Sequence, residues 1–92
     1  MKELNKITVF NDGFSVSIQA SSTHYCTPRY DVGPYTEVEL GYPNQVEELL
    51  LPYAETPENP CMTVYGYVPV SVIHELIKKH GGICENNLPD IL

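Results

Sequence analysis

The sequence predicts an α+β fold: an antiparallel sheet of about four strands with one C-terminal helix packed on one face. Residues 6–20 and 36–42 alternate apolar and polar side chains, while residues 68–82 repeat apolar side chains at helical spacing. A helix of about three turns is not stable alone in water, so its apolar stripe needs the sheet as a partner. We treat residues 1–92 as a single domain.

A hairpin is predicted at the start of the chain. Val16 and Ile18 alternate with polar residues, as expected for a strand with one wet face, and Ile7 and Val9 alternate likewise before them. The Asn-Asp-Gly sequence at residues 11–13 contains the residue types that accept positive φ, which a tight hairpin turn requires.

The middle of the chain alternates strand and loop signals. Residues 21–35 predict a long loop, which either makes contacts with a ligand or is a plain crossover whose tyrosines cover the sheet edge. The following strand places Val38 and Leu40 on one face and an acidic surface on the other. Residues 45–55 predict a short helical turn or an edge strand, because Pro52 excludes a longer helix or a central strand.

The last strand and the helix follow each other directly. Residues 61–67 are rich in β-forming side chains, and Gly66 predicts a bulge or a close contact. Pro69 suits the first helical position, and Gly81 supplies the left-handed residue that ends the helix. The tail, residues 83–92, is predicted to be irregular and to lie back on the domain.

The predicted core contains apolar residues from the strands and the helix. His80 shares the inner stripe of the helix, so it is either a core or capping histidine or a metal ligand. The predicted core residues are Val9, Val16, Ile18, Val38, Leu40, Val64, Ile73, Leu76 and Ile77.

Acidic residues dominate the charge. Twelve acids and five bases give a net charge of −7, and no lysine or arginine lies between Arg29 and Lys78. This balance argues against direct binding to nucleic acid or to anionic membranes, since both need clustered bases. The chain has no apolar run of membrane-spanning length and no leader pattern, and its three cysteines suit a reducing compartment, so we expect a cytoplasmic protein of a host cell.

Two chemical alternatives rest on histidine and cysteine. His24 and Cys26, with His80 and Cys84, could form a tetrahedral zinc set, which would make the chain a zinc-stabilised interaction module. Cys26 beside a histidine could instead serve a small cysteine-dependent enzyme. Neither arrangement has a compact motif, so we predict no metal, no cofactor and no enzymatic activity.

Binding of a protein partner is the function that the charge pattern favours. One-signed carboxylates attract a basic surface and speed association, and the seven tyrosines suit an interface. An exposed strand edge could also pair two subunits as a homodimer. The predicted partner-binding residues are Glu37, Glu39, Glu47, Glu48, Glu55 and Glu58 for steering, with Tyr30, Tyr35 and Tyr53 as anchors.

Three segments resemble small accessory proteins of phages and prophages: HYCTPRYDVGPYTEVELGYP at residues 24–43, LLLPYAE at 49–55 and TVYGYVPVSVIHELIKKHGG at 63–82. Size and acidity are similar to the anti-CRISPR class of phage inhibitors, several of which imitate the charge of DNA. The resemblance implies an inhibitor that occludes a basic, nucleic-acid-binding surface of a host protein such as a CRISPR effector. It carries no residue roles, because that class shares no motif.

Overall fold

A computed structural model describes residues 3–92 and shows an α+β layout. Its strands form one antiparallel sheet in the order β4-β3-β2-β1-β5, and the helix packs on one face. The predicted class is confirmed, with five strands instead of about four. The elements are β1 (Thr8–Phe10), β2 (Ser15–Gln19), β3 (Glu37–Gly41), a 3-10 helix (Leu51–Tyr53), β4 (Val64–Pro69), α1 (Val70–Lys79) and β5 (Ile83–Glu85).

The predicted hairpin forms, but β1 presents the opposite face to the core. Val16 and Ile18 are buried as expected. Thr8 pairs with Val16 across the hairpin, so Thr8 and Phe10 point inward while Val9 points outward. The prediction that Val9 belongs to the core is therefore wrong, because adjacent residues of a strand face opposite sides.

The predicted bulge at Gly66 is present in β4. Val38 pairs with Val68 and Leu40 with Tyr65, so two residues of β4 lie opposite one residue of β3. Tyr65 and Val68 both point into the core as a result. Of the two residues between them, Gly66 and Tyr67, Tyr67 is exposed and has a φ of +52°.

Helix α1 begins one residue later than predicted. Pro69 closes β4 and precedes the first helical residue, and Ile73 and Leu76 carry the buried stripe. Gly81, with φ of +79°, supports the expected left-handed stop. Ile77 is half-buried and packs on the margin of the core. Val64 lies on the face of β4 opposite the buried Tyr65 and is not among the residues packed on the core, so the prediction that it is a core residue is wrong.

The tail is partly a strand, which the sequence did not predict. Gly81 and Gly82, both with positive φ, reverse the chain, and Asn11 binds this turn through its backbone N–H and its side chain. Ile83 then pairs with Phe10 across the sheet edge. Leu88 packs on the core as expected.

The segment after β3 includes the expected short helical turn, Leu51–Tyr53. Directly after it, Ala54 forms a bridge with Tyr65, and the N–H of Glu55 donates to the carbonyl of Val64 at 2.9 Å. This segment therefore covers the outer edge of β4 and brings its side chains beside that strand.

Candidate functional site

An open groove lies on the face of β4 that points away from the core. Its volume is about 260 Å³, and it is lined by three tyrosines, a glutamate, a valine and a glycine. We call it the tyrosine groove; its lining residues are Tyr25, Tyr53, Glu55, Val64, Gly66 and Tyr67.

Tyr25 reaches the groove from the long 21–35 loop. Its N–H donates to Oε1 of Glu39 at 3.0 Å, and its carbonyl accepts the N–H of Tyr67 at 2.9 Å. Gly66 favours this close approach, because a Cβ at that position would lie 3.2 Å from Cβ of Tyr25, which is a tight contact. The loop is therefore fixed to the sheet at the bulge, and it supplies one wall of the groove.

The bulge itself orients Tyr67. The ring of Tyr67 lies 5.9 Å from that of Tyr25, centroid to centroid, with the two planes tilted by 37°. Its positive φ is unusual for a residue with a bulky side chain, and such backbone strain occurs often at functional sites. Tyr53 and Glu55 complete the lining from the segment that covers the edge of β4.

The groove suits a positively charged group. The faces of aromatic rings carry the negative part of their quadrupole, and Glu55 adds an acidic residue to the lining. Within residues 3–92, Glu55 makes no ion pair, and the hydroxyls of the three tyrosines make no hydrogen bond. Arg29 shows the same chemistry, since its Cζ lies 5.7 Å from the centroid of the Tyr25 ring.

Several predicted contact residues lie at or near this groove. Tyr53 and Glu55 line it, and Glu39 binds the backbone of Tyr25 behind it. Glu37 accepts the hydroxyl of Thr27 at 2.6 Å, so it also holds the loop on the sheet. The strand face that was predicted to be an open acidic surface is thus partly used to anchor the loop.

Tyr30 and Glu58 are exposed, in keeping with a role in contacts. Glu48 is also exposed, but it lies close enough to Lys79 to help raise the pKa of that amine, after the larger effect of the bond from Glu47. Glu48 therefore lies near Lys79 at the C-terminal end of α1, and it is not among the residues that line the tyrosine groove.

Tyr35 and Glu47 are wrong as partner-binding residues, because both are buried. Tyr35 packs in the core and its hydroxyl donates to the carbonyl of Tyr30 at 2.8 Å. Burial raises the pKa of Tyr35 above its ordinary value. The six predicted glutamates therefore do not share one wet surface.

Glu47 instead belongs to a buried ionic network around His80. Nε2 of His80 lies 2.6 Å from Oε1 of Glu47, and Nδ1 lies 2.6 Å from Oδ2 of Asp12. A carboxylate oxygen can only accept, so a ring nitrogen that carries its proton donates to the carboxylate beside it. The ring also stacks on Phe14 at 4.3 Å, and Lys79 binds the second oxygen of Glu47 at 2.7 Å.

These contacts shift the pKa values of the acids. Burial alone would raise the pKa of Glu47, but the bonds from Lys79, the N–H of Leu49 and His80 outweigh it, so this pKa lies below its ordinary value. The N–H of Phe14 and the bond with His80 lower the pKa of Asp12 in the same way. The network serves to stabilise the fold, because Glu47 and His80 are buried and both nitrogens of the His80 ring are hydrogen-bonded within the protein.

The proposed zinc set and cysteine nucleophile are not assembled. Nδ1 of His24 lies 2.6 Å from the hydroxyl of Ser21, while the thiol of buried Cys26 donates to the carbonyls of Ser21 and Pro28. His80 is held by its two carboxylates, and Cys84 is exposed on β5. In the described part of the chain, no group of three or more histidine, cysteine or acidic side chains could hold a metal ion.

Sequence reasoning missed Tyr25 and Tyr67 as site residues. The Gly66 bulge that we predicted was the available signal, since a bulge reverses the face of the residue that follows it. Only the folded chain shows that the loop carrying Tyr25 crosses at that same point.

No protein-family model, no protein of described function and no solved structure matches this chain. Over residues 3–92, no helix has the length and apolar character that crossing a bilayer requires. The geometry of the tyrosine groove is therefore the basis for the function proposed below.

Proposed function

We propose that this protein is a non-enzymatic binding protein that occludes a basic, nucleic-acid-binding surface of a host protein. The observation that carries the proposal is the tyrosine groove: an exposed aromatic site with the carboxylate of Glu55, in a chain with a net charge of −7. Aromatic side chains form large contacts at low entropic cost, and a carboxylate beside them selects a positively charged partner.

Exposed acids near the groove extend this complementarity. Glu55 and Glu58 lie in the segment that runs beside the outer edge of β4, and neither forms an ion pair within residues 3–92. Charges of this kind act mainly on the association rate, and salt screens them over roughly 8–10 Å at moderate ionic strength. The proposal therefore predicts binding that weakens as salt rises.

The chemistry of the groove also supports a binding role over a catalytic one. Tyrosine hydroxyls and one glutamate surround it, and neither a cysteine nor a histidine is among its lining residues. The chain's buried Cys26 and His80 are committed to the internal contacts described above. A partner that normally holds nucleic acid fits the negative charge, and the resemblance to phage inhibitors adds a host CRISPR effector as one such partner.

The test is capture of partners from a bacterial extract on the immobilised protein, followed by mass spectrometry. We expect basic nucleic-acid-binding proteins to be enriched at low salt and released by high salt or by added duplex DNA. A Glu55→Gln/Glu58→Gln double variant should capture less, because it removes two charges without changing side-chain size.

The matched control is Glu75→Gln/Glu85→Gln, which removes two exposed charges from α1 and β5. Equal loss in both double variants would show that only net charge matters and not the surface beside the groove. Capture that is indifferent to salt and to DNA would contradict the proposed occlusion.

A further inference from the structure

We infer that the tyrosine groove recognises one arginine side chain of the partner's basic surface. This inference rests on the proposed function and adds to it the chemical group that the site accepts. It follows from the size of the groove, the identity of its walls and the rigidity of its backbone, which are taken in turn.

The size of the groove fits a single side chain. Pockets for drug-sized molecules and cofactors usually measure about 300–1,000 Å³. The tyrosine groove, at about 260 Å³ and open to solvent, is below that range. A side chain projecting from a protein surface can enter such a groove without the partner's backbone being enclosed.

The walls of the groove select a cation. Tyr25, Tyr53 and Tyr67 line it with aromatic side chains, and Glu55 is the one acidic residue among its lining residues. A cation within about 6 Å of a ring centroid is attracted by the ring, more strongly where water is excluded. The chain itself places a guanidinium at such a distance, since Arg29 lies 5.7 Å from the Tyr25 ring.

Arginine suits these walls better than lysine does. A guanidinium is planar, so it stacks on tyrosine rings and at the same time offers several N–H donors. The carboxylate of Glu55 and the hydroxyls of the three tyrosines make no hydrogen bond within residues 3–92, so they are available as acceptors. An ammonium group is more strongly hydrated and cannot stack, so it gains less from the same walls.

The groove is held in its binding geometry before a partner arrives. The bulge fixes the backbone of Tyr67, and the backbone bond from Tyr67 to Tyr25 fixes the opposite wall. The N–H of Glu55 is bonded to the carbonyl of Val64, which sets the third side. Little ordering of this backbone is therefore needed at binding, which favours affinity from a small contact.

The direct test is a titration of isotope-labelled protein with the peptide Ac-Gly-Arg-Gly-NH2, followed by NMR. We expect saturable shifts of the amide signals of Tyr25, Glu55, Gly66 and Tyr67 at millimolar peptide. The same peptide with citrulline has a neutral group of the same shape, so it should bind at least about tenfold more weakly. The peptide with lysine in place of arginine should bind with an affinity between those of the arginine and citrulline peptides.

Variants locate the interaction in the groove. Tyr67→Leu should weaken arginine-peptide binding about three- to tenfold, and Tyr67→Phe should retain it, because the ring face is kept. The matched control is Tyr42→Leu. Tyr42 is 57% exposed and Tyr67 43%, and their φ angles are +54° and +52°, so any effect of backbone strain is shared.

The outcomes separate this inference from the proposed function. Absence of saturable shifts in the wild-type protein, equal binding of the citrulline peptide, or equal loss in Tyr42→Leu and Tyr67→Leu would each overturn arginine recognition. Salt-sensitive capture of basic proteins that Tyr67→Leu leaves unchanged would also overturn it, while the occlusion proposal would stand. Arginine binding in the groove without salt-sensitive capture would support the recognition chemistry and overturn the occlusion role.

Discussion

Replacing Glu47 with leucine should destabilise the fold more than any surface substitution. Glu47 is 2% exposed, and its carboxylate accepts bonds from His80 at 2.6 Å, from Lys79 at 2.7 Å and from the N–H of Leu49 at 3.0 Å. Without it, Nε2 of His80, which is 4% exposed, loses its hydrogen-bond partner. Breaking a buried ionic pair by removing one partner costs about 3–5 kcal/mol.

The lower end of that range applies to Glu47, because Lys79 is 48% exposed and regains water when the carboxylate is lost. We therefore expect Glu47→Leu to lower the free energy of unfolding by about 3 kcal/mol. For a chain of 92 residues with a typical stability of roughly 5–14 kcal/mol, this is about a fifth to three fifths of the total.

The loss should depend on pH in a defined direction. The pKa of Glu47 in the folded protein lies below its ordinary value of 4.5, so its contribution is complete above that value and is lost as pH falls through the folded pKa. Urea unfolding of the wild type and of Glu47→Leu should be measured at neutral pH and at about pH 3. The difference between their free energies of unfolding should be smaller in acid.

Glu75→Gln is the control for Glu47→Leu, since Glu75 is exposed on α1 and should change stability by less than about 0.5 kcal/mol. A loss of stability below about 1 kcal/mol for Glu47→Leu at neutral pH would refute the buried ionic network as a source of stability. A loss of stability that is as large in acid as at neutral pH would refute it as well.

Three further predictions concern the core and the thiols. Ile73→Ala and Leu76→Ala, at fully buried positions of α1, should each lower the free energy of unfolding by about 2–5 kcal/mol in chemical denaturation; an unchanged curve for either would contradict its place in the core. Thr8→Val should raise it by about 1 kcal/mol, because the buried hydroxyl of Thr8 has no hydrogen-bond partner within residues 3–92; a loss of stability would show that this hydroxyl is satisfied. Iodoacetamide should label exposed Cys84 quickly in the native protein and buried Cys26 only on unfolding, as read by mass spectrometry; rapid labelling of Cys26 would revive its role as a nucleophile.

Local patterns were sufficient for much of the fold. The alternation around Val16 and Ile18, the apolar stripe of α1 and the glycine stop at Gly81 are properties of neighbouring residues, and the structure confirms each. The bulge at Gly66 is of the same kind, because a glycine inside a strand marks a local departure from regular pairing.

Burial of polar residues depends on partners that are distant in sequence, so it was not predictable. Glu47 belongs to the acidic middle of the chain, and only its contacts with Lys79 and His80, more than thirty residues later, make its burial favourable. A histidine on the apolar stripe of a helix indicated that a polar partner would lie beside it. The sequence could not say which of the twelve acids it would be.

Only part of the candidate site was predictable, because the groove also depends on residues that are distant in sequence. Tyr53 and Glu55 were named as contact residues, whereas Tyr35 was placed with them although it lies in the core. Tyrosine occurs both in thin cores and at interfaces, so composition alone cannot assign a given ring. The groove forms only where the loop that carries Tyr25 meets the bulge that turns Tyr67 outward.

The two edge strands of the sheet, β4 and β5, differ in how many backbone groups are available to pair with a further strand. Along β4, the bridge from Ala54 and the bond between Tyr67 and Tyr25 already occupy backbone groups that an added strand would need. On the far side, β5 pairs only with β1 among residues 3–92. Fibrils grow by strand addition at both margins, whereas a molecule with one receptive margin can at most join a second copy through a two-fold axis and then stop. Association of this chain with itself through its strands should therefore end at the dimer.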